Sequence, residues 1–149
     1  MDSHTTDQEQ VGKWVSLLLR LAVASLFLAA AVGKFKGGGA SLSGVVGYFQ
    51  QTFAETWLPK ALVTLHACIT PFIEATLVLW LLIGYRLRIG WIVAALFMTT
   101  LAMGMSIAGK NDVAAHNYTY VLMFCVGLYF SRYDRYSADG CCACTHDRG

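Results

Sequence analysis

Charge is scarce in this chain of 149 residues: Asp, Glu, Lys and Arg together make up 13%, about half of the ~25% usual in soluble domains. A soluble domain needs a charged surface to face water, and this sequence has too little to supply one. The net charge is only +2. No basic patch or nucleic-acid motif accompanies it, which sets nucleic-acid binding aside. Glycine-rich nucleotide loops, a Ser-His-Asp set and an HExxH motif are all missing, so the common nucleotide, triad and zinc-protease chemistries have no foothold. Five cysteines are present, Cys68, Cys125, Cys141, Cys142 and Cys144, but their spacing does not suggest a disulfide framework. Cys68 and Cys125 fall in apolar runs and are expected to be buried, inert thiols.

Apolar residues, by contrast, reach 56%. They gather in four runs, 14–32, 61–83, 89–108 and 113–130, each about as long as a helix needs to cross ~30 Å of hydrocarbon. In lipid each backbone polar group must be paired within its own segment, so the runs are expected to be helices. The short connections 84–88 and 109–112 force antiparallel neighbours. The expected fold is therefore an all-α membrane protein, an antiparallel four-helix transmembrane bundle. Between spans one and two, Leu42, Val45, Val46, Phe49, Phe53 and Trp57 recur at helical spacing, which predicts a short amphipathic helix in the membrane interface. Gly37, Gly38 and Gly39 let the chain turn into it, and Pro59 opens span two. Residues 1–12 read as a polar, disordered tail, 13–136 as the membrane domain and 137–149 as a flexible Cys-rich tail. The acidic start and Arg20 argue against a cleaved signal peptide.

Lys13, Arg86, Arg88, Arg132, Arg135 and Arg148 lie on the side of the termini, against Lys34, Lys36, Lys60 and Lys110 on the other. This bias favours both termini in the cytoplasm; the expected location is a bacterial or archaeal cytoplasmic membrane. The tail cysteines would then stay reduced. Tyr118, Tyr120, Tyr129, Tyr133, Trp57 and Trp91 read as interfacial anchors.

Three sets of side chains are candidates for chemistry. Arg20 and Glu74 are charges inside spans, where each is costly. Their depths allow an Arg20–Glu74 pair that holds a polar headgroup or relays protons. A plain ion pair fixing helix register and a neutral, protonated Glu74 remain the alternatives. If Arg20 faces inward, Ala24, Phe27, Ala31 and Lys34 line the bundle with it. Ser25, Ala29 and Gly33 form a small-residue ridge on the other side, open to a second copy or to lipid. His66 and His116, with Lys34, Asp112 and Asn117 at a similar level, form the second set. They suit a quinone carbonyl, haem iron or copper, or simply hydrogen bonds at the interface. The third set is Cys141, Cys142, Cys144 and His146, whose ligand types suit Cu(I) or Zn(II). Incidental thiols and acylation are the other readings.

Three stretches resemble one family. LLLRLAVASLFLAAAVGKF (17–35) carries Arg20, Phe27, Gly33, Lys34 and Phe35; PFIEATLVLWLLIGYRLRIG (71–90) carries Pro71, Glu74, Gly84, Arg86 and Arg88; NYTYVLMFCVGLYFSRYDRYSAD (117–139) ends the series. In this order they are similar to DoxX-like membrane proteins. That resemblance implies a four-span bundle, some of whose members are membrane subunits of thiosulfate:quinone oxidoreductase. The function expected from it is a membrane subunit of a redox complex that binds quinone and anchors a soluble oxidoreductase partner. The alternative is a non-enzymatic assembly or accessory subunit, or a small-molecule or metal transporter. Protein partner subunits and a homo-oligomer fit either reading.

Overall fold

The computed structural model describes residues 3–36 and 38–134. Cys141, Cys142, Cys144 and His146 lie outside these residues. Five α-helices follow one another: α1 (Ser3–Phe35), α2 (Gly38–Thr52), α3 (Lys60–Ile83), α4 (Leu87–Ile107) and α5 (Asn111–Phe130). A single 3-10 turn, Ser131–Tyr133, closes the described chain. Four of the helices are long and apolar enough to cross a membrane. The chain is a multi-pass membrane protein built as an antiparallel helical bundle.

The packing is cyclic: α1 lies along α3, α3 meets α4, α4 lies along α5, and α5 returns to α1. The face bearing the start of α1 and the end of α5 is the terminal face. Two apolar cores divide the bundle's length. Val23, Phe27, Leu77, Leu81, Trp91 and Phe124 fill the middle and the terminal half. Phe49, Phe53, Val63, Ala67, Met105 and Ala114 fill the opposite end. The expected amphipathic helix is α2. It lays Phe49 onto the bundle, with Phe53 in the turn just after it, so that both rings are buried. Trp57 points outward and is 78% exposed.

Helix α1 begins well before the first apolar run. Residues 3–12, read from sequence as a disordered polar tail, continue the helix. An i,i+4 pair between Lys13 and Glu9 at 3.0 Å supports this segment, as such spacing does on helix surfaces. Gly12 abuts the Tyr133 ring, where an added Cβ would stand 2.7 Å from Cγ. Contact with the far end of the chain thus orders a stretch that composition alone would leave loose.

Trp91 also departs from the sequence expectation. It is not an interfacial anchor but a core residue, 1% exposed, lying against Phe124 at 6.2 Å between ring centroids. Gly127 makes this possible. A Cβ there would sit 2.7 Å from the indole, so only glycine lets α5 approach α4 this closely. Cys68 and Cys125, expected to be buried, are exposed. A cysteine in an apolar run of a membrane helix is as much at home facing lipid as facing the core. Ser25, Ala29 and Gly33 face outward too.

The α3–α4 connection is tight. Gly84 takes the left-handed conformation at φ 75° and its N–H donates to the Trp80 carbonyl, the usual glycine stop. Arg86 is also left-handed, at φ 46°, which costs a non-glycine residue about 1–2 kcal/mol. The Trp80 indole N–H, donating to the Tyr85 carbonyl at 2.6 Å, ties the loop down.

Candidate functional site

The stripe inferred for α1 faces inward. Arg20, Ala24, Phe27 and Ala31 are all buried, and Lys34 continues the line. The charges at its two ends do not meet a common partner. Arg20 Nη1 lies 2.9 Å from Asp134 Oδ2, with the two side chains 6% and 2% exposed. The Ser16 hydroxyl donates to the same carboxylate oxygen at 3.3 Å. Lys34 Nζ lies 2.5 Å from Glu74 Oε1 and 2.6 Å from Oε2.

The expected Arg20–Glu74 pair is thus replaced by two separate pairs, one at each end of the stripe. The reason is directional. Every Cα–Cβ bond of a helix tilts toward its N-terminus. On α1 this aims Arg20 at the terminal face, where Asp134 follows the last helix, and aims Lys34 inward from the opposite face. On the antiparallel α3 the same rule tilts Glu74 toward the opposite face, and so toward Lys34. Arg20 and Lys34 are separated by about 21 Å along the axis, at 1.5 Å per residue. Asp134 was missed because it lies just beyond the last apolar run, where an acidic residue looks like ordinary loop.

The histidines are not brought together. They sit on α3 and α5, which do not pack along one another. His116 is exposed and its Nδ1 lies 2.8 Å from the Asp112 carbonyl of its own turn. His66 is half-buried, its ring between Phe49 at 6.3 Å and Phe97 at 6.2 Å. It lines an apolar groove of about 180 Å³ with Phe49, Phe53, Met103 and Gly104. Neither His116 nor Asn117 reaches this groove. Among the described residues no three His, Cys, Asp or Glu side chains cluster as a metal site would require.

A family model for methylamine utilisation protein MauE matches residues 12–116, which takes in most of α1, all of α2 to α4 and the start of α5. The chain belongs to the MauE family. The resemblance to DoxX-like proteins is thereby corrected. Its supporting features were an arginine early in span one, a Gly-Lys pair at that span's end and a Pro-x-x-Glu in span two. In this MauE-family chain Arg20, Lys34 and Glu74 serve helix pairing inside a four-helix bundle. Residues recruited for that purpose do not discriminate between families built on similar bundles. No curated protein and no solved structure matches the chain.

Proposed function

We propose that this chain is a non-enzymatic membrane accessory subunit, serving the assembly or maturation of a redox system of the kind named by its family, methylamine utilisation. The observation that carries this reading is how the intramembrane charges are used. Arg20 and Glu74 each sit in an ion pair within the chain, so Glu74 fastens α3 to α1 and Arg20 fastens α1 to the chain just after the turn that follows α5. The space between the pairs is filled by Phe27, Leu77, Leu81 and Phe124. A packed apolar centre favours a scaffold over a transport path. The two described cysteines lie on different helices and face outward, so among the described residues neither has a neighbouring thiol for dithiol exchange. The Lys/Arg bias supports cytoplasmic termini, and drawing Lys34 inward to Glu74 leaves only Lys36, Lys60 and Lys110 to count on the other side.

The test is deletion in the native host followed by quantitative proteomics and activity assays of the soluble redox proteins encoded nearby. The expected result is loss of a matured partner, restored by the full chain, while the purified chain alone turns over no quinol or amine. Normal partner maturation in the deletion strain would overturn the reading.

The His66 groove favours one narrower reading within this frame, in which a quinone ring lies in the groove against the stacked Phe49 and Phe53 rings, with a carbonyl near the imidazole. Decylubiquinone binding, lost in His66→Leu and retained in His116→Leu, is the expected result. Equal binding by both variants would remove quinone from consideration at this groove.

A further inference from the structure

The terminal face holds a cavity that neither the ion pairs nor the family match accounts for. Its volume is about 390 Å³, and Arg86, Leu87, Arg88, Ile89, Ser131 and Arg132 line it, with Asp134 beside them. Three arginines therefore line it from two segments far apart in sequence, the start of α4 with the residue before it (Arg86 and Arg88) and the turn after α5 (Arg132). Among the described residues, none of these three arginines forms an ion pair. The acidic group in the lining, Asp134, is engaged by Arg20 and Ser16. Among the described residues the lining therefore carries an excess of positive charge.

Two of the three, Arg86 and Arg132, are also oriented by aromatic neighbours. Arg86 is fixed by the left-handed backbone of a tight loop, and its guanidinium lies 5.8 Å from the Tyr85 ring centroid. Arg132 lies over Tyr129 at 4.3 Å and over Tyr133 at 4.8 Å. Such contacts orient a planar guanidinium without using up its hydrogen-bond donors. Like charges gathered without a counter-ion repel one another, and a bound anion removes that cost.

Depth decides the kind of anion. The lining begins within a few residues of the ends of α3 and α5 and at the start of α4, which is the headgroup level of a bilayer. Leu87 and Ile89 add apolar walls beside the charges. Arginine forks match phosphate oxygens in pairs, and cytoplasmic leaflets, where the orientation proposed above puts this face, carry anionic phospholipid. We propose that this vestibule binds the phosphate of an anionic lipid headgroup or of a free phosphate anion, held by Arg86, Arg88 and Arg132.

The test uses the full chain in nanodiscs of phosphatidylcholine containing a minor fraction of phosphatidylglycerol. Native mass spectrometry after ejection counts the phosphatidylglycerol retained. The Arg86→Gln/Arg88→Gln/Arg132→Gln variant is expected to bind about tenfold more weakly, as loss of roughly one strong contact's worth of free energy implies. The Lys36→Gln/Lys60→Gln/Lys110→Gln variant, which loses the same charge on the other face, is expected to retain the lipid. If the glutamine variant fails to fold, the corresponding triple lysine variant keeps the charge and loses the fork, and weaker retention is again expected. Displacement of the lipid by millimolar inorganic phosphate would identify the free anion as a competent source. Resistance to it would identify the lipid. Equal retention by wild type and the arginine variants, or equal losses in the arginine and lysine variants, would overturn the proposal.

Discussion

Lys34 reaches inward along its own helix to place its ammonium within 2.6 Å of both carboxylate oxygens of Glu74. The bond joins the end of α1 to the middle of α3, and its carboxylate partner is 7% exposed. Removing one member of a fully buried pair costs about 3–5 kcal/mol, and the Lys34 side chain, 25% exposed, places the cost here at the lower end of that range. Glu74→Gln should therefore lower the thermal stability of the detergent-solubilised protein sharply. Lys34→Met combined with Glu74→Leu should recover most of the loss. A double-mutant cycle should give strong coupling for Lys34 with Glu74 and near-additivity for Arg20 with Glu74.

Asp134 should behave as part of the membrane domain although it lies past the last span. Asp134→Asn leaves Arg20 with a neutral partner and should destabilise by about 3 kcal/mol, whereas Glu55→Gln, an exposed carboxylate, should change stability by less than about 0.5 kcal/mol. Comparable melting shifts in the two variants would contradict the pairing of Asp134 with Arg20.

Gly127 and Trp91 set how closely α4 and α5 approach. Gly127→Val places branched carbon where the indole now lies, and overpacking of this kind costs about 1–3 kcal/mol. Gly127→Val with Trp91→Leu should be more stable than Gly127→Val alone. Gly44, around which a Cβ would meet open space, should accept alanine with little effect on melting temperature.

The two tryptophans assigned alike from sequence should respond differently to lipid. In single-Trp variants reconstituted with bromine-labelled lipid, Trp57 fluorescence should be quenched and Trp91 fluorescence protected, in keeping with 78% and 1% exposure.

Much of this arrangement could be read from the residues. Span number, antiparallel order and the amphipathic α2 follow from run lengths, short loops and the spacing of Phe49 and Phe53. The inward stripe from Arg20 to Lys34 follows from helical periodicity. What could not be read was the pairing within it, because depth along a helix says how far a charge lies from each face but not which way its side chain leans. Trp91 was misplaced for a related reason: an aromatic residue near a span's end suits both an interface and a core, and only Gly127 on another helix decides between them. Apolar context likewise says nothing about whether Cys68 and Cys125 face protein or lipid, since a bilayer is a second apolar environment. The arginine vestibule was visible only as a count of positive residues in loops, because its walls come from segments more than forty residues apart.

The two ion pairs sit on one continuous helix, and this limits how the bundle can move. Helix α1 is pinned near its middle to the chain beyond α5, and near its end to α3. Sliding it along its axis by a single residue, about 1.5 Å, would strain both fastenings together, since neither can be stretched while the other stays at rest. The terminal face and the bundle interior are thus mechanically registered through one rod. A force applied to Asp134 at that surface is resisted by Glu74 at the middle of α3.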